Sequence, residues 1–150
     1  MEIITTPNKI LESKSEKVPE VSDKIKKLVD KMLKTKKQSK GVGLAANQIG
    51  VNLRIAVVGF KPEDDKDEAI PEYILINPEI TYKSDEISTQ RERCLSDKDE
   101  PIDVPRATKI HVQYIDIDGK KKKLKARGVL ARIIQHEIDH LDGKTISYYK

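Results

Sequence analysis

Tryptophan is absent from these 150 residues, and phenylalanine and cysteine each occur once. A lone cysteine, Cys94, excludes an intramolecular disulfide and leaves a free thiol for packing, metal ligation or nucleophilic work. With five Tyr and one Phe as the only aromatics, flat side chains that could stack on bases are scarce, so no specific nucleic-acid partner is expected. No run of about 18 apolar residues exists to cross a bilayer. The opening MEIITTPNKILESKSEK puts acidic and polar residues where a secretory signal needs a basic start and an apolar block. The chain is therefore expected in the cytoplasm, with no membrane partner. No repeat or linker divides it, and its length suits one domain, residues 1–150.

Charge is abundant instead. Charged residues make up 36% of the chain, against about 25% in an ordinary globular domain. The basic total of 29, mostly lysine, exceeds the 25 acids by four. That excess implies a densely ionic surface and, at most, weak attraction to polyanions such as ribosomal RNA.

Hydrophobic spacing supplies the elements. Ser22 reads as an N-cap, after which Ile25, Leu28, Val29, Met32 and Leu33 recur at helical spacing, and the helix dissolves into KTKKQSKG. Residues 52–60 (NLRIAVVGF) and 73–77 (YILIN) read as strands on either side of an exposed loop, KPEDDKDEAIP. Residues 109–116 read as a strand that Asp118-Gly119 turns back into a lysine-rich partner, 120–126. Gly128 opens a last helix ending near Leu141 and Gly143. Strands first and a buried helix last predict an α+β fold, antiparallel sheets packed around a C-terminal helix.

That helix contains HEIDH, residues 136–140. His136 and His140 stand one turn apart and point the same way, so both imidazoles can reach one metal ion. Glu137 falls on the side of Leu130, Ile133 and Leu141, while Arg132, Gln135 and Asp139 occupy the polar arc. Ionisable groups aimed at a core are costly unless a ligand or metal satisfies them. The site needs a third protein ligand, for which Cys94 and His111 are the candidates. His111 shares a strand face with Gln113 and Ile115 and reads as a half-buried strand residue; Cys94, in the polar stretch of Glu92, Arg93 and Ser96, is the stronger choice. In GVGLAANQ, residues 41–48, Gly41 and Gly43 permit close backbone approach, and Gln48 brings an amide that can donate into a cleft.

GVGLAANQ, then ERCLS at 92–96, then QHEIDHLDG at 135–143 occur together and in order, and the combination resembles peptide deformylase. The likeness runs from Pro7 through VPRA around Arg106 to the end of the chain. It implies that Cys94, His136 and His140 hold one divalent metal, iron(II) in the cell and zinc, nickel or cobalt in preparations. It also implies that Glu137 takes a proton from the attacking water and passes it to the leaving amine. The Gln48 amide and the Leu95 N–H would meet the charge on the formyl oxygen. Val42 and Gly43 would run along the substrate backbone, Glu92 and Arg93 would lie on the substrate side, and Val129 and Ile133 beside the methionine pocket. Glu92 and Arg106 would form an ion pair that steadies the cysteine loop. The expected partners are N-formyl-methionyl nascent peptides.

Two departures stand out. Arg93 occupies a position where most deformylases have glycine, and Asp97-Lys98-Asp99 replaces an apolar residue and proline. Arg93 is expected to point into solvent. The departures motivate an alternative, a catalytically weak relative that binds peptide N-termini; HExxH alone would also fit another metallopeptidase. An end at Lys150 implies no long C-terminal helix for ribosome docking, leaving only weak association.

Overall fold

The structure, a computed structural model, describes residues 2–62 and 69–150, with residues 98–100 described by their backbone alone. Most of the acidic loop expected between the first two strands lies outside the described residues. The first helix, α1 (Asp23–Gln38), starts where the Ser22 hydroxyl accepts the N–H of Ile25 at 3.3 Å. Its apolar stripe of Ile25, Val29 and Met32 is buried. It does not dissolve at Lys34 as the lysines suggested. Thr35 and Lys36 are themselves buried, and the Thr35 hydroxyl bonds back to the Lys31 carbonyl at 2.8 Å. A lysine stem packs like a hydrocarbon when its ammonium finds an acceptor, which composition cannot reveal.

Seven strands follow among the described residues: β1 (Gly43–Ala45), β2 (Ile55–Phe60), β3 (Ile70–Lys83), β4 (Ile87–Cys94), β5 (Asp97–Ala107), β6 (Lys109–Ile115) and β7 (Lys121–Arg127). Five of them form an antiparallel sheet in the order β1-β2-β3-β6-β7, and β4 and β5 pair separately. Helix α2 (Gly128–Leu141) closes the chain together with a short 3-10 turn, Ile146–Tyr149. The α+β architecture of antiparallel sheets around a C-terminal helix is therefore as expected.

The run IAVVGF is apolar at successive positions because both faces of the sheet are covered. Ile55, Val57 and Ile76 pack with α1, while Val58, Leu75, Ile110 and Val112 pack with Ala131, Ile134 and Ile138 of α2. A one-residue slip of β2 would exchange the two sets, so packing on both sides pins its register.

Strand β3 is far longer than residues 73–77, and β4 and β5 carry no clear sequence signal. Exposed and half-exposed positions such as Ile87, Thr89 and Arg91 dominate β4, and a hairpin of such residues lacks the alternation that marks a half-buried strand. The polar arc of α2 meets this hairpin rather than water. Gln135 is buried, accepting from the Ala107 N–H at 3.2 Å and donating to the Ala107 carbonyl at 2.9 Å, so it continues the edge of β5 with a side chain.

Among the described residues no helix is long and apolar enough to cross a membrane.

Asn77 ties the N-terminal segment to the sheet. Its side chain accepts from Val18 N–H at 2.8 Å and donates to Val18 O at 2.9 Å, and it holds φ +50° at a register shift in β3. Asn77→Ala loses both bonds and keeps an unfavourable backbone, which together should cost about 2–3 kcal/mol. Asn77→Gly loses the bonds but relieves the backbone. Urea denaturation should rank the two variants with glycine the more stable, although glycine is ordinarily the worse strand residue.

Candidate metal centre

Two devices bring Cys94 to α2. The β4–β5 pairing shifts register between Glu92 and Cys94, and Cys94 then pairs with Asp97 across a two-residue turn made by Leu95 and Ser96. A bulge and a tight turn re-aim a side chain in this way. The Cys94 Sγ lies 3.1 Å from Nε2 of His140. The sulfur and one ring nitrogen from each of His136 and His140 all fall within 4.8 Å of one another.

The orientation of His136 is fixed from behind, where its Nδ1 lies 2.9 Å from a Glu92 oxygen and leaves Nε2 for the centre. Glu92 collects more than that. Arg106 reaches one of its oxygens through Nε at 2.7 Å and the other through Nη2 at 2.9 Å, and Arg132 donates as well. Burial alone would raise the Glu92 carboxyl, but the bonds from His136 and Arg106 overcome it and hold the group well below the usual carboxylate range. Arg106 continues the network to Asp139 at 2.8 Å, and Asp139 accepts from the Tyr149 hydroxyl. The Arg106 guanidinium also lies 5.3 Å over the Tyr149 ring. The expected Glu92–Arg106 pair is thus present and buried. Glu92 also borders the cleft, on the side where substrate is expected, although both its oxygens are engaged by these partners.

Fit to a metal can be judged from the donors themselves. One sulfur and two imidazole nitrogens converging at this spacing suit a divalent ion held at about 2.3 Å from sulfur and 2.0–2.1 Å from nitrogen. Burial drives the His140 imidazole well below its ordinary pKa, with His136 adding to the effect, which favours the neutral form that binds metal. At His136 burial also pulls down, but the bonds to Cys94 and Glu92 outweigh it and lift the ring to about 10, so a metal there would have to displace a proton. Glu137 Oε1 and His140 Nδ1 are buried with no hydrogen-bond partner among the described residues. A carboxylate oxygen left in that condition beside three convergent donors implies something polar to bind.

Glu137 itself is 3% exposed, and burial lifts its carboxyl to about 7 while His136 and Arg106 pull the other way. It packs so closely on β1 that a Cβ at Gly43 would overlap its carboxylate. That close approach is the reason for a glycine there. Gln48 sits on a 3-10 turn, Ala46–Ile49, and its amide has one readable orientation. Its oxygen accepts the Ala45 N–H at 2.9 Å, so its nitrogen must be the atom that donates to Ser96 Oγ at 3.0 Å and stands 4.0 Å from Cys94 Sγ.

A cleft of about 180 Å³ opens at this centre, bordered by Val42, Gly43, Leu95, Ile133 and Glu137. The Val42 carbonyl accepts from Gly59 N–H at 2.9 Å, so of the two residues expected to pair with substrate, Val42 has spent its oxygen on β2. Val129, expected at the methionine pocket, is 54% exposed and outside the cleft's lining, one turn of α2 short of Ile133. Arg93 is exposed and also outside that lining, as its solvent orientation requires. His111 stacks on Tyr82 at 4.7 Å and takes no part in the three-donor cluster.

Arg132 was the residue most easily missed. It stands one turn before His136, as His136 stands one turn before His140, so i, i+4 spacing alone puts it beside the centre. Asn47 and Arg54 gave no comparable signal. Asn47 donates to the His140 carbonyl, and Arg54 reaches the Leu141 carbonyl at 3.0 Å and Asp142 at 3.0 Å, capping the end of α2 with positive charge.

Comparisons with known proteins agree with this geometry. The family model described as polypeptide deformylase matches residues 1–149. Peptide deformylase 1 of Rickettsia conorii is 42% identical over 149 residues, covering 98% of this chain and 85% of the relative. The crystal structure of peptide deformylase from Ehrlichia chaffeensis in complex with actinonin superposes with a TM-score of 0.92 at 41% identity, covering 100% of this chain and 88% of that one. The Met-Ala-Ser-bound structure of the Acinetobacter baumannii enzyme gives a TM-score of 0.92 at 31% identity, covering 99% and 96%. With its sequence matched almost end to end and its fold reproduced to that degree, the chain belongs to the polypeptide deformylase family.

Proposed function

We propose that residues 1–150 form one catalytic unit that removes the formyl group from the N-terminal methionine of newly made polypeptides in the cytoplasm. The observation that carries this reading is the convergence of Cys94, His136 and His140 beside a buried carboxylate, Glu137, whose Oε1 has no partner among the described residues. Cys94, His136 and His140 would hold one divalent ion, iron(II) in the cell and zinc, nickel or cobalt as substitutes. A bound ion supplies Lewis acidity there, making a water more acidic and polarising a carbonyl.

The remaining steps belong to the side chains. Glu137 takes the proton of the attacking water, which suits a carboxyl that burial has lifted toward neutrality. As the carbon–nitrogen bond breaks, Glu137 hands that proton to the departing amine, and the products are formate and a free N-terminus. The Gln48 amide nitrogen, held by Ala45 and Ser96, and the Leu95 N–H at the hairpin turn donate to the formyl oxygen as it gains charge. Gly43 offers its backbone to an extended peptide, since β1 is the edge strand of its sheet. Ile133 lines the methionine pocket. Arg93 adds a positive charge at the mouth without entering the cleft, so its departure from glycine leaves the centre's geometry intact. Weak association with ribosomal RNA through surface lysines would suit an enzyme whose substrates are nascent.

Formate release from formyl-Met-Ala-Ser tests the reading directly; acetylated peptide should be inert. Glu137→Gln should retain bound metal and lose about 10²–10⁴-fold in turnover, the usual worth of a placed proton carrier. Undiminished turnover in the metal-loaded variant would remove Glu137 from the mechanism. Arg106→Met leaves the buried Glu92 carboxylate to Arg132 and His136 alone and takes the arginine from half-buried Asp139. It should lower stability by about 3–5 kcal/mol and zinc affinity about 10–100-fold. Thermal unfolding and competition with a chelator would measure the two losses separately.

A further inference from the structure

We infer that Lys36 is a positioning residue for the cleft rim formed by residues 41–43, holding in place the strand edge along which a peptide substrate lies; this rests on the deformylase reading above. Lys36 stands in the last turn of α1, 3% exposed, away from the metal-ligand candidates. Its ammonium donates to the Gly59 carbonyl at 2.6 Å. Gly59 in turn donates its N–H to Val42 O at 2.9 Å. The Lys36 backbone carbonyl accepts from Gly41 N–H, also at 2.9 Å. One residue therefore grips the rim twice, directly at Gly41 and through Gly59 at Val42.

Gly59 explains why a cation is needed. The β2–β3 register shifts between Val58 and Phe60, leaving Gly59 out of the paired positions. Its φ is +142°, and a Cβ there would meet the Glu72 Cα at 2.8 Å, so no other residue fits. A bulge of this kind leaves backbone groups outside the ladder, and a buried carbonyl so placed must find another donor. A buried ammonium is an expensive donor, since burial disfavours the charged form; Glu72 supplies a favourable field in return. An apolar side chain would fill the same space at lower cost but would leave Gly59 O unmet and release Val42 from its anchor.

The effect should fall on binding of the peptide portion, because the rim touches substrate beyond the formyl group, whereas the reacting atoms meet Glu137 and Gln48. Lys36→Met keeps the volume and removes the donor. For formyl-Met-Ala-Ser its KM should rise about tenfold with kcat within about twofold, as expected from one lost hydrogen bond to a charged donor. For formyl-methionine amide, which ends before it can run along β1, KM should barely change. Amide hydrogen exchange at Val42, Gly43 and Leu44 should quicken in the variant while the amides of α2 keep their protection. Should Lys36→Met fail to fold, Lys36→Arg carries the same comparison, because a longer cation displaces the Gly59 carbonyl while keeping the charge. A KM change shared equally by both substrates, or an exchange rate at the rim equal to wild type, overturns the proposal. Wild-type protein that releases no formate would instead defeat the deformylase reading, and the exchange measurement would still decide the role of Lys36.

Discussion

The Glu92 carboxylate is the interaction on which the rest of the centre depends. It receives His136, Arg106 through two nitrogens, and Arg132, all within one buried pocket. A carboxylate in that setting is stable only because its partners arrive together, and without it Arg132 would lose its ion pair and Arg106 one of its two. The consequence is a joint between two pieces of secondary structure. Glu92 sits two residues before Cys94 on the hairpin, and His136 and Arg132 lie on α2, so the bond that orients an imidazole also docks the thiol opposite it. Arg106, from the second strand of the same hairpin, locks both sides through Glu92 and Asp139.

Around that joint the five-stranded sheet acts as a wall with helices on both faces. Helix α1 covers one face and α2 the other, so the candidate catalytic helix is supported by core packing rather than by loops. The edge strand β1 is only three residues long and runs directly into the turn that carries Gln48. A short edge resists unwanted pairing while leaving room for an added peptide strand.

Much of this was legible in the chain. HEIDH declared itself because two histidines and a glutamate fell on or beside the apolar arc of one helix, and the antiparallel α+β architecture followed from strands preceding it. The polar stretch around Cys94 already favoured it over His111 as a third ligand, and the Gln48 amide was visible beside two glycines; the part Gln48 plays came only from resemblance. The β4–β5 hairpin stayed hidden because its strands are held by pairing with each other and by polar contacts to α2. Gln135 and Asp139 seemed destined for a polar surface, yet one completes a strand edge and the other anchors Arg106 and Tyr149. Val129 lies one helical turn short of the cleft's lining, since a likeness of sequence transmits which residues are present more faithfully than how far each reaches.

Helix α2 has scarcely a face to spare. Ala131, Ile134 and Ile138 press on the sheet, Arg132, Gln135 and Asp139 fasten the hairpin, Ile133 and Glu137 border the cleft, and the last carbonyls belong to Asn47, Ser15 and Arg54. A segment so fully committed has almost no neutral substitutions, whereas the exposed lysines of β7 and the outer side of α1 have many. Over generations the two should therefore keep time differently: the lysines drifting with the composition of the genome, the helix all but standing still.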